Sequence, residues 1–553
     1  MVLNIFNGKS DEKKGEYIIG VSSGMFGMAS AEEKISLIDI SQKGFYSALK
    51  GVNFTQIDLE RGVEFVSPEL EDRIRRIRED LGINIGIHGL CGAMGSRGIF
   101  LDSAIEDDYL RTHEALIRDL ERSGRIKAKY YLQHASETTP YGWLGKDLQP
   151  TAIVDIWGRR FHIFLKENPY LIDWAITQDE ICEVVVGSRR EDYEARLLPE
   201  AMEISEREMM EKVRKPLQNF TEEEREEVRK RAKEIIKENL KRRIITFSQS
   251  SSLSYGAERI AYYITAKWMS DQNDPIWQGI VGKKFEEVKD NSKLWVPAVS
   301  AKYIWGHFNP DKCKDENVLK ICPDPKPILE KYNLDFVIET AMVAAGMEEE
   351  YRLTNPKHFV ILCKYAGTRH FKAAIDFEHI LGAGIDPEKD CINKMIPDGG
   401  KYVNVLHVGW PTPIQPAHIP IPLGSEQQEW LYKWMLALRK KGFDESENRY
   451  IIFERGSPLP YPMGGGADPV QQSTLALKKI IEFLRKEVPV EKLPPEFYGI
   501  ENKDLKMQET EIREHAFDPI KGLLSVPEEK HGFLGKVAVE KGKAREWETE
   551  KYR

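Results

Sequence analysis

The segment Ile83-Asn84-Ile85-Gly86-Ile87-His88 decides the fold. It is a short run rich in β-branched residues that ends at a polar residue, and similar runs recur along the chain. Such runs predict buried strands. Seven more lie at residues 16–21, 54–59, 129–134, 335–339, 372–376, 402–407 and 450–454, and most are followed by a segment with helical periodicity. Strands that alternate with helices form a parallel sheet, and eight such units close a barrel. The sequence therefore predicts an α/β protein with a (β/α)8 TIM barrel fold.

The fourth and fifth predicted strands are separated by far more chain than one crossover needs. This predicts a long, mainly helical insertion between strands 4 and 5. Within it, Thr221-Glu222-Glu223-Glu224 is a capping box that opens a helix. We divide the chain into the first half of the barrel (1–145), an insertion that acts as a lid or substrate-recognition domain (146–330), the second half of the barrel (331–488) and a charged C-terminal extension (489–553).

The composition narrows the classes of protein to consider. The 553 residues carry 80 Lys and Arg against 89 Asp and Glu, a net charge of −9, which disfavours nonspecific binding to nucleic acid or to anionic membranes. No apolar run has the length of a membrane helix and no signal peptide opens the chain, so we expect a cytoplasmic protein without a membrane partner. The dense Glu and Lys content is typical of thermophile-like proteins. The oligomeric state stays open, with a homo-oligomer through the insertion or the extension as one alternative.

Metal-ligand residue types close six of the predicted strands, although the chain has only 12 histidines. These residues are His88, His134, Glu339, Asp376 with His379, His407 and Glu454. The carboxyl ends of barrel strands converge on one opening, where so many ionisable groups need a compensating cation. Nitrogen and oxygen ligands without thiolate suit Zn²⁺ or Mn²⁺, and more than four ligands suggest two ions bridged by a carboxylate.

One assignment within this set depends on strand geometry. Alternate residues of a strand point to opposite faces, so Asp376 and His379 face the same side only if the strand bends between them. If the strand does not bend there, Glu378 rather than His379 is the residue that faces the opening together with Asp376. We favour His379.

The motifs resemble the endonuclease IV branch of the xylose isomerase-like TIM barrels, the apurinic endonuclease family 2. They are I-x-I-H-G at His88, L-Q-H at His134, I-E-T-A at Glu339, I-D-F-E-H at Asp376 to His379, V-L-H-V-G at His407 and I-I-F-E-R-G at Glu454. The resemblance covers residues 16–145 and 330–485. It implies that Glu339, Asp376, His407 and Glu454 hold a metal shared by isomerases, epimerases and the endonuclease. It also implies that His88 and His134 hold an additional zinc, with Glu339 as the bridge.

The chain departs from that family at its third zinc. The family has an Asp-x-His after the equivalent of His407, but here Pro416 precedes His418 by two positions and has no ligand atom. His379 and His418 therefore hold a weak third ion, contact the substrate directly or are structural.

Two functions fit this pattern. The first is a divalent-metal-dependent hydrolase of a phosphodiester, with metal-activated hydroxide as nucleophile and nucleic acid as a candidate substrate. Glu339, Glu454 and His379 are its catalytic candidates, and Arg97, Arg369 and Arg455 are candidate phosphate contacts. A nucleic-acid groove would lie in the insertion, with Lys267, Lys283, Lys284 and Lys302.

The alternative is a sugar or hydroxy-ketone isomerase or epimerase. It would use one metal and the pair Glu339 and Glu454 as acid and base. A third alternative keeps the barrel only as a scaffold for assembly.

Overall fold

A computed structural model describes residues 15–23, 52–59, 69–90, 98–137, 141, 144, 149–249, 252–254, 256–340, 352–411, 418–454, 469–500 and 506–507. Eight parallel strands close into a barrel in the order β1-β8-β7-β6-β5-β4-β3-β2. They are β1 (Tyr17–Ser22), β2 (Phe54–Asp58), β3 (Asn84–His88), β4 (Tyr130–His134), β5 (Asp335–Glu339), β6 (Phe371–Asp376), β7 (Val403–Val408) and β8 (Arg449–Phe453). The predicted TIM barrel is confirmed.

The described helices between the barrel strands are amphipathic and cover the outside of the sheet. They are α1 (Leu70–Leu81) after β2, α2 (Glu106–Arg125) after β3, α14 (Pro356–Tyr365) after β5, the short α15 (Phe377–Gly382) after β6, α16 (Glu426–Arg439) after β7 and α17 (Pro469–Arg485) after β8. In α1 the buried residues Leu70, Ile74 and Ile77 recur at helical spacing, so one stripe faces the sheet. Gly82, in the left-handed region at φ 66°, ends this helix as expected for a glycine cap.

The insertion between β4 and β5 is mainly helical, as predicted. Its helices are α3 (Phe161–Glu167), α4 (Pro169–Ala175), α5 (Asp179–Val186), α6 (Arg190–Val213), α7 (Glu222–Gln249), α8 (Ala257–Asp271), α9 (Pro275–Ile280), α10 (Phe285–Val288), α11 (Ser292–Phe308), α12 (Val318–Ile321) and α13 (Lys326–Tyr332). A two-stranded ribbon pairs Gln149–Thr151 with Ser252–Ser254. The capping box is present, since Glu224 N–H donates to the Thr221 hydroxyl and Thr221 N–H to the Glu224 carboxylate.

The end of the insertion packs directly on the barrel. Phe308 at the end of α11 contacts Phe336 of β5 and Phe371 of β6, with ring centroids 4.6 and 4.7 Å apart. Residues from this helix and from the barrel strands belong to one continuous hydrophobic core. The insertion therefore supplies part of the helical layer of the barrel, and the domain limits at 145, 330 and 488 stay predictions.

The first residues of the predicted C-terminal extension also pack on the barrel. Phe497 contacts the rings of Tyr432 and Phe483, and its carbonyl accepts a hydrogen bond from Gln428. Nearly all of 501–553 lies outside the described residues. Within the described part of the chain, no helix combines the length and the hydropathy that a membrane span requires.

The register of the strands positions the candidate site. In spite of the insertion, β4 and β5 are neighbours and place His134 opposite Glu339. Further along the barrel, the neighbouring strands β6 and β7 place Asp376 opposite His407. Because parallel strands end at the same rim, these side chains arrive together at the carboxyl-terminal face.

Candidate metal centre

All six predicted ligands at the strand ends come together at the carboxyl-terminal face of the barrel. They form two groups in which the donor atoms lie within 4.8 Å of one another: His88, His134 and Glu339, and then Glu339, Asp376, His407 and Glu454. Five of these side chains are buried, and Glu454 is 15% exposed. The structure therefore brings the six predicted ligands together, and it adds that the two groups share one carboxylate.

Glu339 divides its two oxygens between the groups. Its Oε2 lies 3.2 Å from His88 Nε2 and 3.4 Å from His134 Nε2. Its Oε1 lies 2.5 Å from His407 Nδ1 on the other side. A carboxylate in this position is able to bridge two cations, one on each side.

Several buried polar atoms of the donor set lack a hydrogen-bond partner, and this favours the binding of divalent cations. Both oxygens of Glu339, Oδ2 of Asp376, Nδ1 of His407 and Oε2 of Glu454 are buried and make no hydrogen bond to the described residues. They face one another instead, since His407 Nδ1 lies 3.4 Å from Glu454 Oε2 and 3.8 Å from Asp376 Oδ2. Buried polar atoms rarely stay unsatisfied in native proteins. Cations with nitrogen and oxygen ligands would satisfy all of them.

The three histidines are oriented as metal ligands usually are. His88 Nδ1 lies 2.9 Å from the carbonyl oxygen of Gly89, His134 Nδ1 lies 2.5 Å from Oε1 of Glu137, and His407 Nε2 lies 2.8 Å from Oε1 of Gln56. Each of these partners accepts a hydrogen bond, so the facing ring nitrogen carries the proton. The other nitrogen of each ring faces Glu339 and is the one that would ligate a metal, with the hydrogen bond on the far side fixing the ring orientation.

The electrostatics of the centre favour a cation. Burial opposes the ionisation of Glu339, but the charge of His407 and the close approach of the histidine rings hold the pKa of Glu339 well below its usual range. The same balance lowers the pKa of Glu454. Burial raises the pKa of Asp376, whose charge is less well compensated. Ionised carboxylates enclosed at one rim create a strongly negative site.

His379 lies beside the centre on the first turn of α15. Asp376 ends β6 and caps this helix, because its Oδ1 accepts a hydrogen bond from His379 N–H at 2.9 Å. His379 Nδ1 lies 2.9 Å from the carbonyl oxygen of Thr340, and the ring meets that of His134 edge-on at 5.8 Å. The bend assumed for the Asp376 to His379 spacing is therefore the start of a helix.

Glu378 and His418 form a separate pair beside Glu454. His418 Nδ1 lies 2.8 Å from Glu378 Oε2, and His418 N–H donates to Glu378 Oε1 at 2.8 Å. Gly409 leaves room for this carboxylate, because a Cβ there would lie 2.6 Å from Glu378 Oε2. Among the residues that the structure describes, neither His379 nor His418 belongs to a group of three metal donors. The third-ion alternative therefore gains no support, and the Glu378 to His418 pair was not anticipated.

The structure brings none of the predicted phosphate-binding arginines to the candidate metal centre within the residues that it describes. Arg97 and Arg455 lie outside the described residues. Arg369 as a phosphate contact is wrong, because it precedes β6, on the opposite end of the barrel from the donors, and pairs with Glu330 at the surface. Lys302 is also misassigned, because it is buried and bonded to Asp274 at 2.6 Å, so it cannot line a groove.

Two residues that orient candidate ligands through hydrogen bonds were not identified from the sequence. Gln56 and Glu137 hold His407 and His134, respectively, through the hydrogen bonds given above. The available signal for Gln56 is a polar amide in the interior of a strand segment, between Thr55 and Ile57. A buried polar residue of this kind needs a partner, and a neighbouring ligand is one candidate.

Comparison with known proteins adds little on function. No protein-family model matches the chain, and no curated protein matches it. Solved structures that resemble it include L-ribulose 3-epimerase (9% identity, 85% of this chain and 97% of that chain, TM-score 0.36). D-psicose 3-epimerase from Clostridium cellulolyticum H10 is similar (11%, 85% and 98%, 0.36), as is 3-keto-D-glucoside 4-epimerase from E. coli (10%, 85% and 100%, 0.35).

Likenesses at this level carry no argument about the reaction. They do not confirm the endonuclease IV branch, and the three proteins named are sugar epimerases rather than nucleases. The fold and the donor set consequently rest on the structure of this chain itself: a closed (β/α)8 barrel with six metal-ligand residues at its carboxyl-terminal rim.

Proposed function

We propose that the protein is a divalent-metal-dependent enzyme whose centre holds two ions bridged by Glu339. One observation carries this proposal: the two oxygens of Glu339 face two different donor groups, with His88 and His134 on one side and His407 on the other. Zn²⁺ and Mn²⁺ are the cations that this mixture of imidazole and carboxylate suits.

Hydrolysis of a phosphoester is the reaction that this geometry favours. Two bound ions would lower the pKa of a water and polarise a phosphoryl oxygen. Glu454 is the ligand most open to solvent, so its carboxylate is the group that orients the attacking oxygen. His379, fixed through Nδ1 by the Thr340 carbonyl, directs Nε2 away from that carbonyl and is our candidate for the substrate contact.

Isomerisation or epimerisation of a sugar or hydroxy-ketone is the second candidate. The observation that favours it is that Glu339 and Glu454 both reach His407 Nδ1, at 2.5 and 3.4 Å, so two carboxylates flank one ligand position. A proton carried between two carbons needs such a pair. Against it, both oxygens of Glu339 already face other donors, which leaves this carboxylate poorly placed to carry a proton.

A paired assay separates the two reactions. Protein purified without chelator is loaded with Zn²⁺ or Mn²⁺ and tested on bis(p-nitrophenyl) phosphate and a duplex containing an abasic site, and in parallel on a panel of ketohexoses. We expect phosphodiester cleavage that Asp376→Asn abolishes, because it removes an anionic ligand. Ketose conversion without phosphodiester cleavage would replace the first candidate with the second.

A further inference from the structure

Gln56 lies at the centre of a buried hydrogen-bond network directly beneath the metal centre. Its side chain is completely buried on β2. The amide oxygen lies 2.8 Å from His407 Nε2 and accepts a hydrogen bond from the Tyr130 hydroxyl at 2.9 Å. The amide nitrogen donates to Asp58 Oδ1 at 3.0 Å. The network therefore connects a predicted ligand on β7 with side chains on β2 and β4.

The partners of Gln56 determine which way its amide points. Only the amide nitrogen is able to donate to the carboxylate of Asp58, so the oxygen must face Tyr130 and His407. His407 then has to donate through Nε2, because an amide oxygen only accepts. The proton on Nε2 is thereby fixed, and Nδ1 is the nitrogen that faces Glu339, Asp376 and Glu454 and is available to a metal.

The barrel interior is shaped to admit this network. Gln56 pairs in register with Gly86 of the neighbouring strand β3. A Cβ at Gly86 would lie 2.3 Å from Cζ of Tyr130, so only glycine lets this ring reach across β3 to Gln56. The ring of Tyr130 stacks with Phe54 at 5.8 Å and meets Tyr450 edge-on at 5.1 Å, which restricts its movement.

We propose that Gln56 is the positioning residue of the metal centre, holding His407 in the tautomer that ligates through Nδ1. It thereby sets the affinity for the ion held by Glu339, Asp376, His407 and Glu454, and leaves the His88 and His134 side unaffected. The inference rests on the proposed two-metal function for its effect on affinity. The hydrogen bond from His407 Nε2–H to Gln56 is present without a metal, so it can be tested separately.

The chain offers a matched control in Gln133 on β4. This glutamine is also completely buried, receives a hydrogen bond from the Tyr131 hydroxyl at 3.3 Å and donates to the Leu90 carbonyl at 3.2 Å. Neither of these two hydrogen bonds involves a side chain of the centre. Gln133→Leu therefore reproduces the loss of a buried amide beside a tyrosine without touching His407.

The first measurement uses metal-free protein with ¹⁵N-labelled histidine. In the wild type and in Gln133→Leu we expect the Nε2 proton of His407 to give a hydrogen-bonded signal that is protected from exchange with solvent. In Gln56→Leu this signal should move upfield or disappear, because the acceptor of the hydrogen bond is gone. Unchanged His407 shifts in Gln56→Leu would overturn the proposal, whether or not the protein binds metal.

The second measurement is competition for Zn²⁺ with a chromophoric chelator. We expect Gln56→Leu to weaken one of two ions by about 10–100-fold and to leave the other unchanged, as is typical when the hydrogen-bond partner of a ligand is removed. An equal loss in Gln133→Leu would show a general packing effect and contradict the proposal. A wild type that binds no Zn²⁺ would refute the proposed function. The NMR measurement on the Nε2 proton of His407 would still decide the role of Gln56.

Discussion

Glu339→Ala is expected to remove both metal ions from the protein, although it changes one side chain. Glu339 is completely buried, and each of its oxygens faces a different donor group. Without it, the histidine side keeps only His88 and His134, and the other side loses one of its carboxylates. Since the histidine side would then have no carboxylate and the other side would lose one of three, we expect near-complete loss of metal and of activity.

Elemental analysis of protein purified without chelator measures this effect. Glu339→Gln is the isosteric check, because it keeps the volume of the side chain and removes its charge. Glu378→Gln is the matched control, since Glu378 is an equally buried carboxylate on the same rim that belongs to neither donor group. We expect it to retain both ions. Loss of a single ion in Glu339→Ala would contradict the bridging assignment.

Arg352→Met is expected to lower the free energy of unfolding by about 3–5 kcal/mol, because it leaves a buried carboxylate without its counter-charge. Arg352 is completely buried, and its guanidinium holds both oxygens of Glu258 at 2.8 and 2.9 Å. It also donates to the carbonyl of Asp102 and to the Tyr262 hydroxyl, each at 3.1 Å. Glu258 begins helix α8 of the insertion, so this ion pair fastens the insertion to the segment that precedes α14.

Urea unfolding with a fluorescence readout measures the loss. The matched control is Arg231→Met, because Arg231 is partly exposed on α7 and pairs with Glu208 at 2.9 Å in solvent, where we expect about 0–1 kcal/mol. The double variant Arg352→Met with Glu258→Gln should recover part of the stability, since the unpaired charge is removed. A loss in Arg352→Met no larger than in Arg231→Met would show that the pair does not anchor the insertion.

The barrel and its donors were predictable because both depend on local patterns. A β-branched run that ends on His or Glu identifies a strand and its last residue, and parallel strands carry their last residues to one rim. His134 and Glu339 could therefore be placed together even though the insertion separates them in sequence. The register confirms them as direct neighbours.

The remaining parts of the site depend on contacts that the sequence does not encode locally. The pairing of Glu378 with His418 requires the space left by Gly409, and the role of Gln56 requires Gly86 to admit the ring of Tyr130. Arg369 was misassigned because nearness to a strand was considered without the direction of the chain, although a residue that precedes a strand lies at its amino-terminal end. Lys302 was misassigned because a buried ion pair and an exposed cation look alike in sequence.

Metal content per chain, compared between the wild type and His134→Ala, tests the central claim most directly. His134 belongs only to the group with His88 and Glu339, so its loss should release one ion and leave the ion held by Asp376, His407 and Glu454. The account predicts two ions per chain in the wild type and one in His134→Ala. A single ion in both proteins would contradict the two-metal centre and would favour the isomerase, which needs only one.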